Sequence, residues 1–257
     1  MEIKKVINSR GEILESKYSV VEFNPIIRED VLDRFKVTCK DEYQEFLELF
    51  SIFAELDVFL ESKRDEKDST SKIYYTRLMH IKVKDHFTSS IILISQGFLV
   101  DSISLVRSAL EDLFVILNFY IEPGYFESWL KNGDDFKIRP YKLRNHKKIN
   151  QMDKDLFNNV YEALCKIVHP RINSISHMVK FHPTVENSGT IGIERLKRDT
   201  QLINLSFFVY LHQLCNLMRD NYSALDDKTL LDTLTSKLWD VIRKNNFIIN
   251  DVLSNKE

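Results

Sequence analysis

The sequence predicts an all-α protein: a bundle of five to seven main helices preceded by an extended N-terminal arm. Three observations predict it. Only 6 Gly and 5 Pro occur among 257 residues, well below the usual averages of about 7% and 5%, so the turn-dense patterns of sandwiches, barrels and Gly-rich loops are poorly supplied. Apolar residues recur at three- and four-residue spacing over most of the chain beyond residue 40, the mark of helices that bury one face. The run from Ser89 to Pro123, SSIILISQGFLVDSISLVRSALEDLFVILNFYIEP, reads as one long helix, apolar around most of its circumference and therefore central.

Taken in order, residues 1–40 form the arm: Val20, Val21 and Phe23 lie in a β-favouring run, Gly11 offers a hairpin turn, and Pro25 interrupts any helix. Residues 41–257 form a single helical domain. Its first helix carries Phe46, Leu49, Phe50, Phe53, Leu56, Phe59 and Leu60 at helical spacing up to the charged run KRDEKD. Ser69, Thr70 and Ser71 supply N-caps for a second helix through about residue 95, with Gly97 a close-packing point or a break. Pro123 and Gly124 stop the central helix. The basic stretch to about residue 150 reads as a connector with short helices. Asp153 then caps a helix bearing Leu156, Val160, Leu164 and Ile167, which stops at His169-Pro170 because proline disfavours helix in the residue before it. Residues 180–193, with Pro183, Gly189 and Gly192, look like a loop. Two amphipathic helices follow, about 194–222 and 226–253, and their apolar faces make a homodimer or a partner protein the expected association.

The polar residues of the central helix are where chemistry would sit. At 100° per residue, Asp101, Ser104, Arg107, Ser108, Glu111, Asp112 and Asn118 fall within an arc of roughly 140°. Arg107 and Glu111 are four residues apart, the spacing that brings side chains together. One reading is an intrahelical ion pair worth about 0.3–0.5 kcal/mol. The other is a cleft lined by Arg107, Glu111 and Asp101 or Asp112, in which a desolvated guanidinium holds an anion such as phosphate through paired hydrogen bonds. His169, at a helix C-terminus where the dipole favours its charged form, is either a structural histidine or a proton donor and acceptor facing that seam. The segment Lys137 to Lys148 interleaves Arg139 and Arg144 with Phe136 and Tyr141, a composition suited to phosphate contacts and base stacking, or simply a solvated loop.

Other classes are excluded by what the chain lacks. The 36 basic and 38 acidic residues give a formal charge of −2, which removes a global electrostatic case for nucleic-acid binding and leaves only local patches. Cys39, Cys165 and Cys215 form no CxxC pair, so a reducing cytoplasm is expected rather than a disulfide framework. The longest nearly apolar stretch, Ser89 to Val100, contains Gln96 and is too short to span a bilayer, so no membrane partner is expected. The separations of His169, His177 and His182 fit no metal motif, and neither GxGxxG, GxxxxGK[ST], GxSxG nor HExxH occurs, so no metal and no cofactor are expected.

The pattern QGFLVDSISLVRSALEDLFVILNFY, with Arg107-Ser108 followed by Glu111, and the later YEALCKIVHP together resemble a group of uncharacterised bacterial proteins with HEPN-like helical domains, over roughly residues 75–180. The resemblance implies a HEPN-like bundle, frequent dimerisation, and a bacterial defence or toxin-type protein acting on or binding RNA, as a metal-independent endoribonuclease. HEPN ribonucleases carry Arg-x4-6-His with a polar residue after the Arg. Arg171 to His177 and Arg139 to His146 meet that spacing, but Ile172 and Pro140 stand where the polar residue is expected. The resemblance therefore points to Arg171 positioning a phosphate and His177 transferring a proton. The alternative function is a non-enzymatic helical protein-protein interaction module.

Overall fold

The computed structural model describes the backbone of residues 5–7, 13–15, 33, 35–64, 70–96, 98–132, 151–168 and 189–244, and side chains over most of these. Among the described residues the fold is all-α apart from one short antiparallel pair. Strands β1 (Lys5–Ile7) and β2 (Ile13–Glu15) flank Gly11, with Val6 opposite Leu14. The β-favouring residues Val20 to Phe23 lie outside the described residues. Helical backbone is already present at 35–38, and the Cys39 amide donates to the Phe35 carbonyl at 2.8 Å, leading into the first long helix.

Seven helices follow among the described residues: α1 (Lys40–Ser62), α2 (Lys72–Ser95), α3 (Leu99–Ile121), α4 (Tyr125–Asn132), α5 (Gln151–Val168), α6 (Gly189–Asn221) and α7 (Leu225–Lys244). Ser71 is the N-cap of α2, its hydroxyl accepting from the Tyr74 amide at 3.4 Å. The run expected as one helix from Ser89 to Pro123 is two. The Phe98 amide reaches back to the Leu93 carbonyl at 2.9 Å, the six-to-one bond of a Schellman stop, with glycine in sequence at the intervening position. This break folds α3 back against α2 in the most extensive helix pairing among the described residues. Contacts from Ser90 to Ser102, from Lys82 to Asp112 and from Thr76 to Tyr120 step in opposite directions along the two helices, which are therefore antiparallel.

Two further boundaries differ from expectation. α5 begins at Gln151, so Asp153 lies inside the helix rather than at its cap, and α6 starts at Gly189, taking in both glycines of the predicted loop. Each glycine costs a helix about 1 kcal/mol relative to alanine. Extending an existing helix adds one hydrogen bond per residue without a new nucleation cost, and that outweighs it.

The core lies around α6, which packs against α1, α2, α3, α5 and α7. Residues 202–211 of α6 are buried without interruption, so this helix, read from sequence as amphipathic, shares the centre with α3. Its middle carries an aromatic stack. His80 of α2 lies face to face on Phe53 of α1 at 3.6 Å between centroids, and Phe207 of α6 stacks on Phe87 of α2 at 4.2 Å. His80 is fully buried. Its Nε2 faces the Phe53 carbonyl at 3.4 Å, which can only accept, so Nε2 carries the proton and Nδ1 accepts from the Tyr210 hydroxyl at 2.8 Å. Burial holds His80 down at about 3, against an ordinary value of 6.5.

Between those two values the unfolded chain takes up a proton that the folded chain refuses. Stability is therefore expected to fall as pH drops from 6.5 towards 3, by roughly a factor of ten in the folded-to-unfolded ratio per pH unit from this residue. His80→Phe, measured by urea denaturation from pH 7 to pH 4, should be less stable at pH 7 and should lose that part of the slope. An unchanged slope would remove His80 as its cause.

Candidate functional site

α3 is buried on three sides. Ile103, Val106, Leu110, Leu113 and Leu117 are sequestered in the core, α2 lies along one flank and α5 along the other, and α4 closes the C-terminal end through Phe119 against Phe126. Desolvating a charged group is expensive, so the polar residues occupy the arc that remains. Ser104, Ser108, Glu111 and Val115, all partly exposed, fall within about 60° of it at 100° per residue. They line the strip of α3 left between α2 and α5, the α3 trench, with those two helices as its walls. Ser104 and Ser108 donate to the carbonyls four residues back, at 2.8 and 3.1 Å, so the floor is satisfied internally.

The α5 wall carries a closed polar triangle. Arg107 Nε donates to Glu111 Oε1 at 3.0 Å and to the Tyr161 hydroxyl at 3.2 Å, Arg107 Nη2 lies 3.0 Å from the same Oε1, and the Tyr161 hydroxyl donates to Oε1 at 2.5 Å. The guanidinium also sits over the Tyr161 ring, 5.5 Å from its centroid. Phe114 packs against Phe157 and Tyr161, fixing the depth at which Tyr161 meets α3. Burial pushes the Tyr161 hydroxyl above its ordinary range and the bond to Glu111 adds to this, so Tyr161 stays a neutral donor. For Arg107, burial opposes the charge, but the Tyr161 bond and Glu111 outweigh it and hold the guanidinium above its ordinary value. These contacts leave Arg107 Nη1 and Glu111 Oε2 uncommitted within the triangle, on side chains that are 25% and 33% exposed. The arrangement can present a fixed donor edge to an anion.

The α2 wall is different. Asp112 does not join Arg107. It turns towards α2, where Lys82 Nζ lies 2.9 Å from Oδ1 and His86 Nε2 lies 3.5 Å from Oδ2. The seam thus splits, Arg107 and Glu111 facing α5 and Asp112 facing α2. Asp101 is exposed in the first turn of α3, about 9 Å along the axis from Arg107, and does not join the triangle. Asn118 is buried and donates to the Phe114 carbonyl at 2.8 Å, a packing role. Arg139, Arg144, His169, Arg171 and His177 lie outside the described residues. Sequence reasoning missed Tyr161, Lys82 and His86 as site residues. Tyr161 was legible as the first residue of YEALCKIVHP; the other two sit on a neighbouring helix, and no spacing within α3 could reveal them.

A second polar cluster lies between α1 and α6. Asn204 Nδ2 bonds to the Glu42 carbonyl at 2.8 Å and to Glu45 Oε2 at 3.1 Å, while Gln201 and Lys197 reach Glu42 Oε1 at 2.9 and 3.3 Å. It fixes the register of α1 on α6. Among the described residues, no three or more His, Cys, Asp or Glu converge as a metal-binding group would, and no helix is long and apolar enough to cross a membrane. Comparisons with protein-family models, with curated proteins and with solved structures returned no match to this chain.

Magnitudes separate the polar triangle from the packing beneath it. Tyr161→Phe removes hydrogen bonds to two partly exposed partners and should cost about 1 kcal/mol, and Glu111→Gln less, as for other partly exposed pairs. Phe157→Ala, at a fully buried position, should cost about 3–5 kcal/mol. Denaturant midpoints of the three variants check this; a Tyr161→Phe loss as large as that of Phe157→Ala would make the triangle a structural clamp.

Proposed function

We propose that this chain is a HEPN-like bacterial protein of the defence or toxin type that acts on RNA as a metal-independent endoribonuclease in the cytoplasm. One observation supports the reading above others: the two segments that carry the resemblance, separated by some fifty residues, meet at the Arg107–Glu111–Tyr161 triangle. In this reading the Nη1 edge of Arg107 receives a phosphate of the bound strand, with Glu111 and Tyr161 holding the guanidinium so that little rotamer entropy is lost on binding. Arg171 positions the scissile phosphate and His177 or His169 transfers a proton. Arg139 and Arg144 extend the contact along the backbone by charge, so that affinity falls as salt rises.

The interaction-module reading is favoured by a separate feature. Tyr43, Leu47 and Val58 are exposed on α1, at 44%, 42% and 70%, and lie close to one line along the helix, an apolar row of the kind that contacts another chain.

Inducing the wild-type protein in a bacterial host should slow growth and degrade RNA. Arg171→Ala and His177→Ala should abolish both effects without lowering the melting temperature, and Arg107→Ala should weaken RNA binding and its salt dependence. If the purified protein leaves RNA intact and all three substitutions are silent, the enzymatic reading fails. Self-association abolished by Leu47→Glu would then support the module.

A further inference from the structure

We propose that His86, held by Asp112 on the α2 wall of the trench, is the group that takes the proton from the attacking hydroxyl when RNA lies along the α3 seam; this rests on the RNA reading above. No feature of the sequence singles out either residue for this role; their geometry does. Asp112 is 13% exposed and His86 19%. His86 Nε2 and Asp112 Oδ2 are both buried, and neither has a hydrogen-bond partner. They face each other at 3.5 Å. One can donate and the other accept, so each is satisfied by a shift of a few tenths of an ångström, provided that Nε2 carries the proton. An unpaired buried donor and acceptor would otherwise each cost a desolvation penalty. That requirement fixes the tautomer and leaves the Nδ1 lone pair as the free basic site of the ring. Lys82, 58% exposed and 2.9 Å from Asp112 Oδ1, holds the carboxylate from the other side and puts a cation on the rim of the trench.

The opposite wall carries Arg107, and the floor between the walls is made of Ser104 and Ser108, bonded to their own helix, with Glu111 and Val115. A strand whose phosphate meets Arg107 and that crosses the seam of α3 therefore reaches an imidazole whose tautomer is set by Asp112. The step balances without a metal or cofactor. Nδ1 of His86 accepts the ribose 2′-hydroxyl proton, the 2′ oxygen forms a bond to phosphorus, the bond from phosphorus to the 5′ oxygen breaks, and that oxygen takes its proton from the histidine to which the RNA reading gives proton transfer, His177 or His169. The products are a 2′,3′-cyclic phosphate and a 5′-hydroxyl end. Asp112 acts through His86 and is a positioning residue.

The test uses the full-length protein with a single-stranded RNA oligonucleotide and its 2′-deoxy counterpart. Wild type should cut only the RNA. His86→Ala should cut it about 10²–10⁴-fold more slowly, as for loss of a general base, and added imidazole should restore part of the rate. Nitrogen-15 spectra of the His86 ring should show the Nε2-protonated tautomer, and Asp112→Asn should lose that preference while remaining folded. If folded His86→Ala cuts within about twofold of wild type, or if the ring is protonated on Nδ1, this inference is overturned and the RNA reading stands. If wild type leaves the RNA intact, the RNA reading itself is overturned, and this inference with it.

Discussion

Everything else in this molecule depends on the burial of α3 on three sides. Its leucines, isoleucines and phenylalanines are sequestered against α2, α5 and α6, and a helix held that way has one arc left in which a charge keeps access to water. Arg107, Glu111 and Asp112 are therefore placed by the apolar residues around them as much as by their own contacts. The same constraint divides the seam. Arg107 and Glu111 lie on the α5 side of the arc and Asp112 on the α2 side, so one helix supplies polar groups to two different walls.

α6 imposes a second constraint, because it passes through the core with polar residues that cannot reach solvent. Asn204 bonds across to α1, and Ser206 and Thr200 bond to the carbonyls four residues back in their own helix. Tyr210 satisfies its hydroxyl on His80. Such contacts add little net stability each, but leaving any of them unmade would cost more than it contributes. They select one register of α1, α2 and α6, and so place α2, one wall of the α3 trench, on the core. The α6–α7 pair is antiparallel, with Arg219 on Asp232 and Phe208 against Trp239, and α7 also packs against α1.

The helical class was legible from local information, because apolar spacing and the shortage of glycine and proline act within each segment. The cap at Ser71 and the stop before Pro123 and Gly124 were legible for the same reason; Gly124 adopts a φ of +72°, where glycine bears no strain. The break at residues 96–98 was suggested only by Gly97, since the apolar pattern continues across it: both arms face the same core after folding back. The all-round burial of residues 202–211 was not legible, as their serine, asparagine and tyrosine read as a polar face until the partners on other helices are known. The candidate site divides likewise. The Arg107–Glu111 pair follows from helical spacing, whereas its closure by Tyr161 and the turning of Asp112 towards Lys82 and His86 are products of packing between helices far apart in sequence.

The functional account therefore stands on whether the α3 seam is an open surface that a strand can enter. Thiol labelling of Ser108→Cys in a Cys165→Ser background measures this directly, because the remaining Cys39 and Cys215 are buried and react slowly when folded. The account predicts rapid labelling of the native protein at position 108 and protection by single-stranded RNA. Labelling that waits for global unfolding, or that RNA leaves unchanged, would contradict it.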